Sequence, residues 1–259
     1  MASSKRNRRN NKYGKRRGRP GCFSLVILSI FVVIAIGATA TIFFKITGID
    51  VYGNERYMAE VLREASGVNS GDSLILINKF AIAHRIKAEL PYVDEVKIRR
   101  GFPDTLIFEV TECVAEAYVY DGSSVWLLDK NAKLLENTLP QEAEGLIFLK
   151  GVTPFEPAAG QTLVTEDESQ MQVITDMLSA IDRAGFAEDV SEIDFTKLYN
   201  LSFRLMDRYT VELGINEELD YKLQYLKEIL ENLGNGKTGT IDLSLLISKH
   251  EARFNEASQ

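Results

Sequence analysis

One short segment of the sequence carries the residues of a catalytic motif. Gly71-Asp72-Ser73-Leu74 matches the nucleophile block of a class of serine esterases. In that chemistry the serine hydroxyl attacks an ester, and a late histidine, oriented by an aspartate three residues before it, takes the proton. Here the late histidine is His250, and Ile247 stands where the aspartate belongs. We therefore interpret the block as a turn between two helices and keep a serine hydrolase that uses Ser73 as the alternative function.

A second segment, residues 234–239, matches two nucleotide-binding patterns. Its glycines have the spacing of a dinucleotide fingerprint, and Gly236-Lys237-Thr238 resembles the end of a phosphate loop. Both patterns need a strand before the loop and a helix after it, so that backbone amides face the phosphates. Here the order is helix and then strand, and Glu231 occupies the place of the phosphate loop's first glycine. We predict a helix-ending turn, with no cofactor and no small-molecule substrate.

The remaining reactive side chains do not form a catalytic or metal-binding pattern. His84 lies on a predicted helix without a carboxylate or thiol at ligand spacing, and the cysteines Cys22 and Cys113 form no Cys-x-x-Cys pair. We therefore predict no metal site and no catalytic residues. Arg99 and Arg100 could form a docking patch on a hairpin, or could be a pair of charges that simply face solvent.

Charge is distributed very unevenly along the 259 residues. The first 21 residues contain nine Lys and Arg and none of the 37 acidic residues, although the whole chain has a formal charge of −7. The composition, 45% hydrophobic and 26% charged, excludes a wholly disordered chain and a disulfide-stapled miniprotein. The basic tail contains one aromatic residue, so we predict contact with anionic lipid and no nucleic-acid binding.

The basic tail is followed directly by an apolar run over residues 23–44. In a helix, at about 1.5 Å per residue, 22 residues measure roughly 33 Å, which spans a hydrocarbon core about 30 Å thick. We predict one transmembrane helix at 23–44, with residues 1–22 in the cytoplasm by the positive-inside rule. The alternative is a signal peptide cleaved near Ala38-Thr39-Ala40, although the apolar run continues past that site.

The next segment, residues 45–114, has the pattern of a small α+β domain. Its order is strand, helix, helix, strand, strand. Val96 and Ile98 alternate with charged residues, and Leu106, Phe108 and Val110 alternate again, with Glu109 outward. The motifs Ile49-Asp50-Val51-Tyr52-Gly53-Asn54, Leu90-Pro91-Tyr92-Val93 and Arg100-Gly101-Phe102-Pro103-Asp104 resemble the POTRA domain of the bacterial cell-division family FtsQ/DivIB. A basic tail, one membrane helix and an adjoining POTRA domain is also the layout of that family.

Residues 115–247 are predicted to form a second, mixed α/β domain with an antiparallel-rich sheet, and 248–259 a polar tail with frayed ends. Trp126-Leu127-Leu128-Asp129 resembles the hairpin that opens the family's second domain, with Asn131 as the turn residue that tolerates a left-handed backbone. A leucine stripe at Leu219, Leu223, Leu226, Leu230 and Leu233 is predicted to pack on the sheet. Gly239 to Leu245 is predicted to form the final strand, in which Ile241-Asp242-Leu243 resembles the closing segment of the family.

The resemblance implies a non-enzymatic, single-pass scaffold of the cell-division machinery, located at the septum. The partners it implies are membrane proteins of the FtsB/DivIC and FtsL types, which connect it to septal peptidoglycan synthesis. We expect a partner segment to add as a strand to the closing strand, with contacts at Thr240, Ile241, Asp242, Leu243 and Ser244 and with Arg99 and Arg100 as further candidates. The alternative is that this strand lies inside the sheet. A POTRA-bearing outer-membrane assembly protein is less favoured, because no series of barrel strands follows.

Overall fold

The computed structural model describes residues 22–233 and 237–257. The predicted basic tail and the glycines Gly234 and Gly236 lie outside the described residues. The chain begins with helix α1, Cys22–Phe43. Its described apolar side chains are exposed, with Phe31 72% accessible. Within the described residues, no helix is both long enough and apolar enough to cross a membrane. The transmembrane helix is therefore not confirmed, and it stays a prediction.

The first domain has the predicted order of strand, helix, helix, strand, strand. Its sheet has the order β1-β3-β2, with β1 parallel and β2 antiparallel to β3. Its elements are β1 Gly48–Tyr52, α2 Ala59–Ser66, α3 Lys79–Glu89, β2 Val93–Gly101 and β3 Thr105–Glu112.

Local sequence explains this arrangement. The Asn78 side chain accepts hydrogen bonds from the amides of Phe80 and Ala81, which begins α3, and Gly67 ends α2 at a φ of 61°. Leu106 and Phe108 of β3 are fully buried and alternate with partly exposed residues. The two helices cover the face that these side chains form. The predicted POTRA-like domain is thereby confirmed.

The second domain is built on one mixed sheet, with the strand order β12-β11-β10-β9-β8-β7-β4-β5-β6. Among the described strands antiparallel pairs predominate, and the parallel pairs are β4 with β7, β7 with β8, and β10 with β11. The elements are β4 Ala117–Asp121, β5 Ser124–Leu128, β6 Leu134–Thr138, β7 Ile147–Lys150, α4 Glu168–Ala184, β8 Val190–Asp194, β9 Leu201–Leu205, β10 Tyr209–Gly214, α5 Leu219–Leu233, β11 Gly239–Asp242, α6 Leu246–Lys249 and β12 Arg253–Glu256.

Helices α4 and α5 pack together against this sheet. Leu223 and Leu226 of the leucine stripe are fully buried in the same core cluster as Ile174 and Ile181 of α4. The prediction that the stripe packs on the sheet is therefore confirmed. The predicted turn residue of the opening hairpin was wrong, because the left-handed residue is Ala132, with φ 58°, and not Asn131.

The end of the chain differs from the prediction. The closing strand β11 stops at Asp242 rather than continuing to Leu245, and a further strand, β12, follows it within the predicted polar tail. β12 pairs antiparallel with β11, so Ile241 lies opposite Phe254. The prediction that the last residues are frayed was wrong for Arg253–Glu256, because their backbone groups complete the sheet.

Candidate functional site

The C-terminal edge of the large sheet is formed by three successive strands. β11 is parallel to β10, with Val211 opposite Ile241, and antiparallel to β12 on its other side. β12 stands at the end of the strand order. Both sides of β11 are thus occupied, while β12 has a neighbouring strand on only one side among the described residues.

The expectation that Thr240 to Ser244 form an open edge was wrong for this reason. Ile241 and Leu243 are completely buried, and the Leu243 amide donates to the Glu212 carbonyl at 2.8 Å. Asp242 ends the strand, because its Oδ1 accepts from the amide of Ser244 at 2.9 Å and from its hydroxyl at 2.6 Å. These side chains hold the strand end in place. Whether they influence partner binding stays a prediction.

The outward backbone groups of β12 follow from its register. The Ala257 amide donates to the Thr238 carbonyl at 2.9 Å. In an antiparallel ladder, residues alternate between hydrogen-bonded and non-bonded pairs. The pairs of Thr240 with Asn255 and of Ile241 with Phe254 follow in order. The amides of Phe254 and Glu256 therefore point away from β11 and are open to a further strand.

The side chains of β12 anchor it to the sheet by few contacts. The Phe254 ring lies 6.3 Å from the Tyr209 ring, edge to face, and the Lys237 ammonium lies 5.8 Å from the Phe254 centroid. Lys237 and Glu256 form a long ion pair at 3.9 Å, with both side chains exposed. Exposed ion pairs contribute about 0–1 kcal/mol, so the backbone ladder and Phe254 hold this strand.

Arg99 and Arg100 do not form one docking surface. Neighbouring residues of a strand point to opposite faces. Arg99 is paired with Glu109 at 3.1 Å and remains 66% exposed. The Arg100 guanidinium instead donates to the carbonyls of Leu74 at 2.6 Å and Ile75 at 3.0 Å. Arg100 thus fixes the loop before α3, and only Arg99 presents its charge to solvent.

Ser73 lies in the first domain, in an isolated bridge with Lys45. Its hydroxyl is buried and has no hydrogen-bond partner within the described residues. The preceding Asp72 is engaged by the Asn69 amide at 2.9 Å. No base thus contacts the hydroxyl, and the geometry gives no support to the hydrolase alternative. Nor do the described residues contain a cluster of three or more His, Cys, Asp or Glu that could hold a metal ion.

The junction between the two domains contains a polar group that sequence reasoning missed. The Arg56 guanidinium lies 3.6 Å from the centroid of the Tyr92 ring and 3.2 Å from Glu136 Oε1, and the Tyr92 hydroxyl donates to the same oxygen at 2.5 Å. Burial and this hydrogen bond raise the pKa of Tyr92. Glu112 accepts from the amides of Glu55, Arg56 and Tyr57 beside it. The junction is thus a structured contact.

One lysine is buried next to the C-terminal edge. Lys222 of α5 is 1% exposed, and its ammonium donates to the carbonyls of Leu213 at 2.8 Å and Ile215 at 2.9 Å. Burial lowers the pKa of Lys222, an effect that Glu217 partly opposes. These bonds fix the chain where it leaves β10. β11 pairs with β10, and β12 in turn pairs with β11.

Comparison with known proteins gives matches over both domains. The family model "POTRA domain, FtsQ-type" matches residues 44–112, and "Cell division protein FtsQ/DivIB, C-terminal" matches residues 117–244. The cell division protein DivIB of Clostridium botulinum (strain Loch Maree / Type A3) is 26% identical over 225 residues, which cover 85% of this chain and 87% of the relative. The cell division protein FtsQ of Geobacter sp. (strain M21) is 26% identical over 199 residues, with coverage of 74% and 69%.

A solved structure also matches in part. It is the major extracytoplasmic domain of the trans isomer of the cell-division protein DivIB from Geobacillus stearothermophilus. The match has 21% sequence identity and a TM-score of 0.30, and it covers 48% of this chain and 95% of that one.

Proposed function

Because the chain belongs to the FtsQ/DivIB family of bacterial cell-division proteins, we propose that it is a non-enzymatic scaffold that binds other division proteins at the septum. The partners that the family implies are membrane proteins of the FtsB/DivIC and FtsL types, which link it to septal peptidoglycan synthesis. Two family models in succession, matching most of the chain, support this role.

We place the chain in the cell membrane, with α1 as its single span and both domains outside the cytoplasm. The apolar side chains of α1, such as Phe31 and Val33, support this arrangement because the described part of the chain leaves them exposed. The nine basic residues before α1 favour a cytoplasmic N-terminus. The alternative of cleavage near Ala38-Thr39-Ala40 would release the two domains.

The observation that carries the scaffold proposal is the open outer side of β12. A partner segment that adds there would pair with the amides and carbonyls of Phe254 and Glu256. Main-chain hydrogen bonds would supply affinity, and side chains on alternate positions would supply selectivity. In this arrangement Thr240, Ile241, Asp242, Leu243 and Ser244 support β12 from the inside. Arg99 is the remaining candidate for a second contact.

A proline series tests this proposal in the full-length protein. Glu256→Pro removes an amide that points away from β11, so the internal ladder keeps its hydrogen bonds. Glu256→Ala removes the same side chain and keeps the amide, which makes it the matched control. We expect Glu256→Pro to weaken binding of the organism's own DivIC-type protein about tenfold, equivalent to about 1.4 kcal/mol, with Glu256→Ala close to wild type.

Two results would contradict the proposal. One is wild-type affinity of Glu256→Pro in a pull-down when circular dichroism shows an intact fold. The other is uniform membrane fluorescence of a fusion labelled at its N-terminus, in place of a band at midcell. The first result would show that the outer side of β12 is not the binding edge. The second would show that the protein does not act at the septum.

A further inference from the structure

Large apolar side chains are exposed at the end of α1 and in the first domain. Phe80 is 89% exposed, Phe43 74%, Leu76 71% and Phe102 66%. Soluble surfaces seldom carry several such side chains together unless something covers them. We call this group the apolar rim and define it by these four residues and the ring of Phe44.

Hydrogen bonds and ring contacts bring the rim together from separate segments. The Leu74 amide donates to the Phe44 carbonyl at 2.9 Å, which ties the loop before α3 to the chain that follows α1. The Phe44 ring lies 5.6 Å from that of Phe43 and 5.5 Å from that of Phe102, edge to face in both cases. The rim is therefore continuous with the last turn of α1.

The bonds of Arg100 hold the other part of the rim. Its guanidinium binds the carbonyls of Leu74, Ile75 and Ile77, so the loop that carries Leu76 is fixed against the hairpin that carries Phe102. Phe80 follows in the first turn of α3, after the Asn78 cap. Leu76 is therefore exposed on a loop that hydrogen bonds hold in place, and Phe80 on the first turn of a capped helix.

Two lysines flank the rim. Lys45 and Lys79 lie beside it, and neither forms an ion pair within the described residues. Two carboxylates also lie nearby and accept from neutral donors, Asp104 from the Thr47 hydroxyl at 2.7 Å and Asp72 from the Asn69 amide. Lysines that flank aromatic side chains match the boundary of a bilayer, where ammonium groups reach phosphates and rings lie at the headgroup level.

An apolar groove continues the rim along α1. It has a volume of about 480 Å³ and is lined by Val32, Ala35, Ile36, Thr39, Phe43 and Phe44. The groove is open and almost wholly apolar, so its chemistry fits an acyl chain rather than a polar ligand. Its lining joins residues of the proposed span to Phe43 and Phe44 of the rim.

We infer that the apolar rim is a lipid-contact surface, which inserts into the headgroup and acyl boundary of the bilayer beside α1. This inference rests on the proposal that α1 spans the membrane. The occupant is lipid rather than a protein, because the rim is continuous with α1 and is flanked by two unpaired lysines. Seated in this way, the first domain would lie directly on the membrane and could not swing freely around residues 44–47.

Tryptophan fluorescence in vesicles tests the inference on the full chain. In a Trp126→Phe background, single tryptophans are placed by Phe31→Trp in α1, Phe102→Trp in the rim, and Tyr199→Trp in the second domain, where Tyr199 is 70% exposed. The vesicles contain phosphatidylcholine and phosphatidylglycerol, with or without brominated acyl chains. We expect bromine to reduce the emission of the first two at least twofold and to leave that of Tyr199→Trp unchanged.

The other possible outcomes of this experiment contradict the inference in different ways. Quenching of Phe31→Trp without quenching of Phe102→Trp would overturn the lipid contact, keep the membrane span and assign the rim to a protein partner. Absence of quenching for both would overturn the span and the lipid contact together. Equal quenching of Tyr199→Trp would show non-specific adsorption and also overturn the inference. Phe80→Trp serves as a second rim reporter if Phe102→Trp does not fold.

Discussion

The hydroxyl of Tyr92, in the first domain, donates a 2.5 Å hydrogen bond to Glu136 of β6, in the second domain. Arg56 completes the contact by lying over the Tyr92 ring and binding the same carboxylate oxygen. Lys133 adds a bond from the second domain to the Val93 carbonyl at 2.8 Å. The two domains are thus joined by directional bonds, which fix where the β12 edge stands relative to the first domain.

Removing the Tyr92 hydroxyl should weaken this junction. Tyr92 is 5% exposed, and hydrogen bonds to charged groups contribute about 1.5–3 kcal/mol. We therefore expect Tyr92→Phe to lower the free energy of unfolding, measured with denaturant, by about 1.5–3 kcal/mol. Tyr199→Phe, at an exposed site, should change it by less than about 0.5 kcal/mol. Equal stabilities of the two variants would show that the bond to Glu136 contributes nothing.

Lys222 should be essential to the stability of the second domain. Lys222→Ala removes two charge-assisted hydrogen bonds and a buried aliphatic stem, so we expect a loss of about 2–4 kcal/mol in the free energy of unfolding. Gln224→Ala, at an exposed position on the same helix, is the control and should be nearly neutral. A loss of similar size in both variants would show that it comes from a general effect of alanine on α5 and not from removal of the buried ammonium.

The lowered pKa of Lys222 also predicts a dependence of stability on pH. Burial disfavours the charged form in the folded protein, so the unfolded chain binds more protons between the lowered pKa of the folded state and the ordinary value of 10.5. Stability should therefore rise as the pH is raised toward that value. Lys222→Met cannot titrate and should lack this part of the rise. Parallel pH profiles of wild type and Lys222→Met would contradict the prediction.

Sequence patterns were enough to predict the helices and strands that their own side chains mark, by alternation or by capping. Phe108 and Val110 alternate with the polar residues Glu109 and Thr111 and are buried as expected, and Asn78 caps α3 through its own side chain. In each case the signal is local, because it depends on residues a few positions apart. The order of elements in the first domain follows from such signals.

The edge of the sheet could not be predicted in the same way. β12 has one large apolar residue, Phe254, among Arg253, Asn255 and Glu256, so no alternation marks it as a strand. Its pairing depends on backbone groups that every residue carries, and the matched family region ends at residue 244, before β12 begins. The role of Arg100 in holding the loop before α3 could not be predicted for a related reason, since its bonds go to main-chain carbonyls about 25 residues away.

Cys113 should react slowly with alkylating agents in the folded protein. It is a free, half-buried cysteine, and burial raises the pKa of its thiol to about 11 from an ordinary 9.0, although Lys133 opposes this. Because the thiolate is the reactive form, alkylation at pH 8 should be about 100-fold slower than in the unfolded chain. Iodoacetamide labelling of a Cys22→Ser variant, with and without denaturant, measures this. Equal rates would mean that the thiol is open to solvent.

Gly239 is required for β12 to lie against β11. Its φ is 156°, and a Cβ at this position would collide with the carbonyl oxygen of Asn255 on β12. That oxygen belongs to the backbone and cannot move without displacing the strand. Gly239→Ala should therefore release residues 253–257 while leaving the core strands intact, because β12 is held by few side-chain contacts. Faster hydrogen exchange of the amides of Asn255 and Ala257 would report the release.

The matched control for Gly239→Ala is Gly122→Ala. Gly122 also has a positive φ, 62°, but a Cβ there meets no atom within 4 Å. Both positions have a positive φ, which costs an alanine about 1–2 kcal/mol at the left-handed Gly122, and only Gly239→Ala adds the collision with β12. If β12 is the partner-binding edge, Gly239→Ala should lose partner binding together with the exchange protection of Asn255, and Gly122→Ala should keep both. Partner binding that survives the loss of protection would place the binding edge elsewhere.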